Sequence, residues 1–174
     1  MGTVGAEVAR RPCIGCGGLV PDVDGPSHRY MLASPGCWAA YTQSLAGGRA
    51  DPLPEPHGSL AVDAYAVQHP GVPGPQATQS VWVHLMTLHL VLERRWHPGQ
   101  AVRLRRLGAD ASAGLPWLEP PDSMGTLTVI DLVSTERELH LDLVRPWVEE
   151  AWAAWTEHHP AVTARASLLV ARLG

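Results

Sequence analysis

The chain reads as an all-α domain, a bundle of five or six helices carrying an irregular, zinc-stapled N-terminal lobe. Three observations predict this. The stretch Thr78 to Trp96 is apolar nearly all round, which is too long for a typical strand and is the pattern of a helix enclosed by others. Pro and Gly punctuate the remaining apolar stretches as helix starts and stops do. Residues 1–36 show little periodicity, yet with Cys37 just beyond they carry the chain's three cysteines. At 174 residues and 45% hydrophobic content, one domain with a sizeable core is expected over residues 1–174.

In order along the chain, residues 1–36 form the lobe, in which a metal would replace the core that its side chains cannot build. Pro35-Gly36 opens a short helix over residues 37–46, with Trp38, Tyr41 and Leu45 at helical spacing, and Gly47-Gly48 ends it. Asp51 to Pro56 is a stiff connector. A second helix spans 59–69, with Leu60, Ala64 and Val67 on its apolar face, and Pro70-Gly71 stops it. The buried helix 78–96 follows, then a short one over 99–108 with a basic side. Residues 114–125 form a Pro-rich loop holding Trp117 and Leu118. Thr128-Val-Ile-Asp131 has the pattern of a helix start. From there a helical pattern runs to His158, with Pro146 kinking or dividing it. Trp147, Trp152 and Trp155 make a stripe expected to pack in the core. Pro160 begins a last helix over 160–172.

Composition excludes several classes of function. A formal net charge of −4 argues against a nucleic-acid binder, because the basic cluster Arg103, Arg105 and Arg106 is short and isolated. No run of about 20 apolar residues is present, so no membrane span is expected. The first eleven residues lack the apolar stretch of a secretory signal, which places the protein in the cytoplasm, where a Cys-x-x-Cys is more often a metal site than a disulfide. Lys, Asn and Phe are absent, the mark of GC-rich coding and of a high-GC bacterium. That absence also removes lysine nucleophiles and Schiff bases from consideration. Nothing in the sequence excludes a homo-oligomer.

The chemistry lies first in the cysteines. Cys13 and Cys16 flank a Gly-rich turn that lets both thiolates reach one tetrahedral ion, and Cys37 in Ser-Pro-Gly-Cys-Trp supplies a third. A histidine must complete the set. His28 is close in sequence, within the same lobe. His69 stands at the end of the second helix, where its ring can project into a neighbouring lobe, with Tyr65 and Gln68 as candidate supporting partners. Position alone leaves the two open, with His57 a weaker third.

Several motifs bear on the choice: Cys-x-x-Cys-Gly, Ser-Pro-Gly-Cys37-Trp38, Val62-Asp-Ala-Tyr-Ala-Val-Gln-His69-Pro70, Ser80-Val-Trp-Val-His84, Pro116-Trp-Leu-Glu-Pro-Pro121 and the late tryptophans. In combination the chain resembles a family of small, uncharacterised bacterial proteins common in actinomycetes. The resemblance implies a metal-binding Cys/His set and brings no activity with it. Its Tyr-Ala-Val-Gln-His-Pro hallmark favours zinc ligation by Cys13, Cys16, Cys37 and His69, with His28 the alternative fourth ligand. Such a closed site would be structural.

A second constellation lies on the buried helix. Ser80, His84 and Thr87 follow one another at i, i+4 and i+7 and draw a polar line through apolar surface, so they need partners from other helices. Asp63, Glu136, His140 and His159 are candidates. The expected pocket holds His84 as acid or base with Asp63 orienting it, and Tyr65, Ser80 and Trp82 binding a small organic molecule. Specialised metabolism suits that substrate class. The competing expectation is a non-catalytic, zinc-stabilised binding or interaction module. His89 and Glu93, one turn apart, are expected to pair at a surface or interface.

Overall fold

Proline sets the register of the helices, because its fixed φ and missing N–H suit the first turn and nowhere else. The computed structural model describes residues 9–44, 53, 55–111, 114–132 and 141–172. Six helices lie among them: α1 (Pro35–Thr42), α2 (His57–Gln68), α3 (Pro75–Leu92), α4 (Pro98–Ala111), α5 (Val144–Ala154) and α6 (His159–Ala171). Proline occupies the first or second position of α1, α3, α4 and α6. The protein is thus all-α, with one small two-stranded sheet.

That sheet revises the expectation of a wholly irregular lobe. Strands β1 (Arg10–Pro12) and β2 (Leu19–Pro21) pair antiparallel with Arg11 opposite Val20. The turn between them is closed by Cys13 N–H to the Gly18 carbonyl at 2.8 Å and Gly17 N–H to the Cys13 carbonyl at 3.0 Å. The knuckle therefore sets the pairing, which a three-residue strand could not do from its own side chains.

Helix α3 occupies the centre, packed on α2, α4 and α6, while α2 also packs against α5. Its Val81, Leu85 and Leu88 recur on one face and are fully buried. Trp147 and Trp155 are buried in the same core cluster. The tryptophan stripe is core, as expected. α3 begins three residues earlier and ends four residues earlier than the apolar pattern suggests. At its end the chain turns at Arg95, φ 56°. His89 is buried on the same helix, and Glu93 accepts the Trp152 indole N–H at 3.0 Å. The two do not form the expected surface pair.

The largest departure follows the Pro-rich loop. Thr128 N–H and hydroxyl both donate to Asp131 Oδ2, at 2.8 and 3.0 Å, but the Thr128 hydroxyl in turn accepts from Ile130 N–H at 3.3 Å. This closes a local turn that competes with a helical start. Residues 133–140, with Glu136 and His140, lie outside the described residues, as do 45–52 with the expected end of the first helix. Pro146 then falls in the first turn of α5, where it costs no hydrogen bond, and no kink results. Among the described residues, no helix is long and apolar enough to cross a membrane.

Candidate metal centre

Four side chains from three separate pieces of chain meet beneath the hairpin. Cys13 and Cys16 come from the knuckle, Cys37 from the first turn of α1, and His69 from the residue that ends α2. Their ligand atoms all lie within 4.8 Å of one another, and all four residues are buried. This is a group that could hold a metal ion.

Local chemistry explains how each arrives. Ser34 ties the knuckle to α1: its hydroxyl accepts Ile14 N–H at 3.0 Å while its own N–H donates to Cys13 Sγ at 3.4 Å. Cys37 is the third residue of α1, a place fixed by Pro35 at the helix start. His69 leaves the helix at φ −128°, ψ 62°, and its Nδ1–H donates to the Tyr65 carbonyl at 2.7 Å. That bond sets the tautomer and leaves Nε2 facing the sulfurs, 3.3 Å from Cys37 and 3.6 Å from Cys13. Gly15 makes room for the ring. A methyl group on it would stand 2.6 Å from His69 Cδ2 and 2.0 Å from the Leu32 carbonyl oxygen.

The sulfurs are not a disulfide in waiting position: Cys16 and Cys37 are 3.9 Å apart, against about 2.05 Å for a bonded pair. Hydrogen bonds from Cys16 and Cys37 hold the Cys13 thiol far below its ordinary range. Cys37, through its bonds with Cys13 and Cys16 and its burial, is pushed up. Burial works to lower the His69 pKa, but bonding to Cys13 and Cys16 outweighs it and raises the ring to about 9. The metal-free quartet thus holds protons that a cation must displace.

An aromatic column backs the quartet. Tyr65 stacks on His69 with ring centres 4.0 Å apart, and Tyr41 stacks on Tyr65 at 3.7 Å. The Tyr65 hydroxyl points to Cys37 Sγ at 3.8 Å, and burial followed by the Cys37 charge pushes its pKa up. His28 stands outside the quartet. Its ring packs edge-on against Tyr30 and Trp38, and its Nδ1 accepts the N–H groups of Tyr30 and Met31. Gln68 does not support His69 either; its amide faces the opposite way, toward Trp147.

The second cluster joins three helices. Asp63 on α2 is almost fully buried; its Oδ1 lies 2.6 Å from His84 Nδ1 on α3. Its Oδ2 accepts from Arg105 Nη2 on α4 at 2.9 Å, and the same nitrogen donates to the Ser59 carbonyl at 3.0 Å. Arg105 is the residue that sequence reasoning missed, having been read as part of a surface patch. Tyr41 borders this cluster too: burial, then the Asp63 charge, raise its pKa to about 12 against the opposing pull of Arg105.

The remaining expected pocket residues point elsewhere. Tyr65, two residues after Asp63, faces the metal quartet. The Trp82 indole donates to the Pro116 carbonyl at 2.8 Å and so pins the Pro-rich loop. Thr87 bonds back to the Val83 carbonyl on its own helix. The Ser80 hydroxyl is buried with no partner among the described residues, and His159 Nε2 meets the Trp152 carbonyl.

Comparison with known proteins adds one finding. A family model described as a family of unknown function (DUF5946) matches residues 11–156, a span that takes in both clusters. No curated protein and no solved structure matches.

Proposed function

The chain belongs to this family of unknown function, DUF5946, and we propose that in it a structural zinc ion locks the hairpin lobe onto a helical body that presents His84 as an acid and base to a small organic molecule in the cytoplasm. The observation that carries the reading is the buried Cys13, Cys16, Cys37 and His69 quartet. Zinc bonds of about 2.3 Å to sulfur and 2.0–2.1 Å to nitrogen imply tetrahedral edges of about 3.8 Å between sulfurs and about 3.5 Å from sulfur to nitrogen. The separations of 3.9, 3.6 and 3.3 Å sit close to those edges. Three thiolates and one imidazole suit zinc, and four protein ligands leave no open position for substrate. When bound, the ion supplies a cross-link between knuckle, α1 and α2.

The acid/base role rests on the Asp63–His84 contact. A carboxylate on Nδ1–H orients the ring, leaving Nε2 to exchange a proton. Arg105 holds the other carboxylate oxygen, which fixes the buried Asp63 in place. Ser80, one turn before His84, is the polar group that a molecule reaching Nε2 would meet; Tyr65 and Trp82 act at one remove, through the metal lobe and the loop.

Two measurements test the two halves separately. Metal analysis of the purified protein is expected to find one zinc per chain, lost on His69→Ala and kept on His28→Ala; the reverse pattern rejects the ligand set. Diethyl pyrocarbonate labelling read by mass spectrometry is expected to modify His84 in the folded, zinc-loaded protein. An unreactive His84 would reject the acid/base role. A specific observation then favours a non-catalytic interaction module: Ile14, Tyr30 and Leu32 on the hairpin lobe and Val72 between α2 and α3 are exposed, brought together where Gly15 backs on Leu32 and Gly71 on Tyr30.

A further inference from the structure

The end of α3 makes a turn usually left to glycine. Arg95 holds φ at 56°, a left-handed conformation that an arginine adopts only where the surroundings impose it. The turn folds Trp96 back so that its N–H reaches the Leu90 carbonyl at 2.9 Å. The indole, half-buried, forms a wall shared by two hollows. One, about 460 Å³, opens toward α4 and Leu107; the other, about 210 Å³, opens toward α6 and Val170. The larger by itself has the size of a small-molecule site, about 300–1,000 Å³.

The charge at this place is one-sided. Arg94 borders the smaller hollow and Arg103 the larger, and neither has a carboxylate partner among the described residues. Glu93, the nearest carboxylate in sequence, is held by the Trp152 indole. In a chain of formal net charge −4, two guanidinium groups with no carboxylate partner among the described residues, beside a half-buried indole wall, suit one kind of ligand. α4 divides its arginines to achieve this. Arg103 and Arg105 are two residues apart, about 200° around the helix, so Arg105 turns inward to Asp63 while Arg103 shares the groove face with Leu107.

We propose that the larger hollow binds a small amphipathic organic anion, its apolar body lying on Trp96 and Leu107 and its carboxylate, sulfonate or phosphate head met by Arg103, with Arg94 adding positive charge from the other side of the indole. The guanidinium groups supply charge-assisted hydrogen bonds, and the indole supplies a flat apolar surface. The site is separate from the Asp63–His84 cluster and stands whether or not His84 takes part in chemistry.

Two fluorescent probes that share one apolar body test it. The metal-loaded 174-residue chain is titrated with 1-anilinonaphthalene-8-sulfonate and with N-phenyl-1-naphthylamine, which lacks the sulfonate. Saturable binding of the sulfonate at one site per chain is expected. The double variant Arg94→Gln, Arg103→Gln is expected to weaken it about tenfold while leaving the neutral probe unchanged. Trp96→Ala is expected to weaken both probes, and Arg29→Gln, an exposed change on the metal lobe, neither. Near-UV circular dichroism establishes that each variant is folded. The arginine variant decides the matter without Trp96→Ala, since both side chains are exposed. Sulfonate affinity equal to wild type in that variant, equal loss of both probes in it, or no saturable binding to the wild type overturns the proposal.

Discussion

Gln68 and His69 are consecutive residues that hold opposite sides of the molecule. The Gln68 side chain accepts the Trp147 indole N–H at 2.8 Å and donates to the carbonyls of Met124 and Leu127, each at 2.8 Å. His69 turns the other way, onto Cys13 and Cys37. The end of α2 is thus where the Pro-rich loop, α5 and the metal lobe are joined, through side chains that diverge because the helix stops between them.

Gln68→Ala is expected to cost about 3–5 kcal/mol, since it leaves an indole N–H and two carbonyls unpaired in the interior and opens a cavity. Zinc content should stay at wild-type level, because no metal ligand is touched. Urea denaturation with parallel metal analysis checks both. A loss below about 1 kcal/mol would mean that the loop and α5 dock without it.

The two glycines of the knuckle should respond differently. Gly15→Ala drives a methyl group into His69 and the Leu32 carbonyl, and zinc affinity is expected to fall by about ten- to a hundredfold. Gly17 has φ 75° but open space around it, so Gly17→Ala should cost about 1–2 kcal/mol of stability and leave affinity nearly unchanged. Competition against a chelator of known affinity separates these outcomes.

Asp63→Ala is expected to destabilise by about 3–5 kcal/mol, since it leaves the Arg105 charge half-enclosed and uncompensated. His84→Ala leaves the Asp63–Arg105 pair intact and should cost less, about 1–2 kcal/mol. Denaturation curves that reverse this order would show that the His84 contact, not the Arg105 one, anchors Asp63.

Glu150 on α5 accepts the N–H groups of Thr126 and Leu127 and the Thr126 hydroxyl, and the Leu127 bond foremost holds its carboxyl below the ordinary 4.5. The folded-state pKa is depressed, so its contribution to stability is present above pH 4.5 and is lost as pH falls through the lowered value. Glu150→Gln should therefore lower the melting temperature at pH 7 and converge with wild type in acid. Thermal melts at several pH values give the comparison.

Much of the architecture is local and was legible in the residues. The prolines at 35 and 160 mark helix starts because the ring forbids any later position, while α3 and α4 open at Pro75 and Pro98, ahead of the expected bounds at 78 and 99. The apolar run on α3 declares a central helix, and the Cys-x-x-Cys turn declares a ligand pair because its geometry is closed within a few residues. The Thr128 start misled for the same local reason, since a threonine and an aspartate three apart can close a turn as readily as a helix.

The sequence by itself thus determined the helical class, the cysteine knuckle and the candidacy of His69. Tertiary structure decided which candidates meet. It chose His69 over His28, because only the end of α2 is carried under the hairpin. It gave Asp63 to both His84 and Arg105, sent Tyr65 to Cys37 and His69 and Gln68 to Trp147, and set Trp96 beside two arginines that have no carboxylate partner among the described residues. These pairings join residues far apart in the chain, and the direction of a side chain at a helix end depends on what packs beside it, which no spacing of residues records.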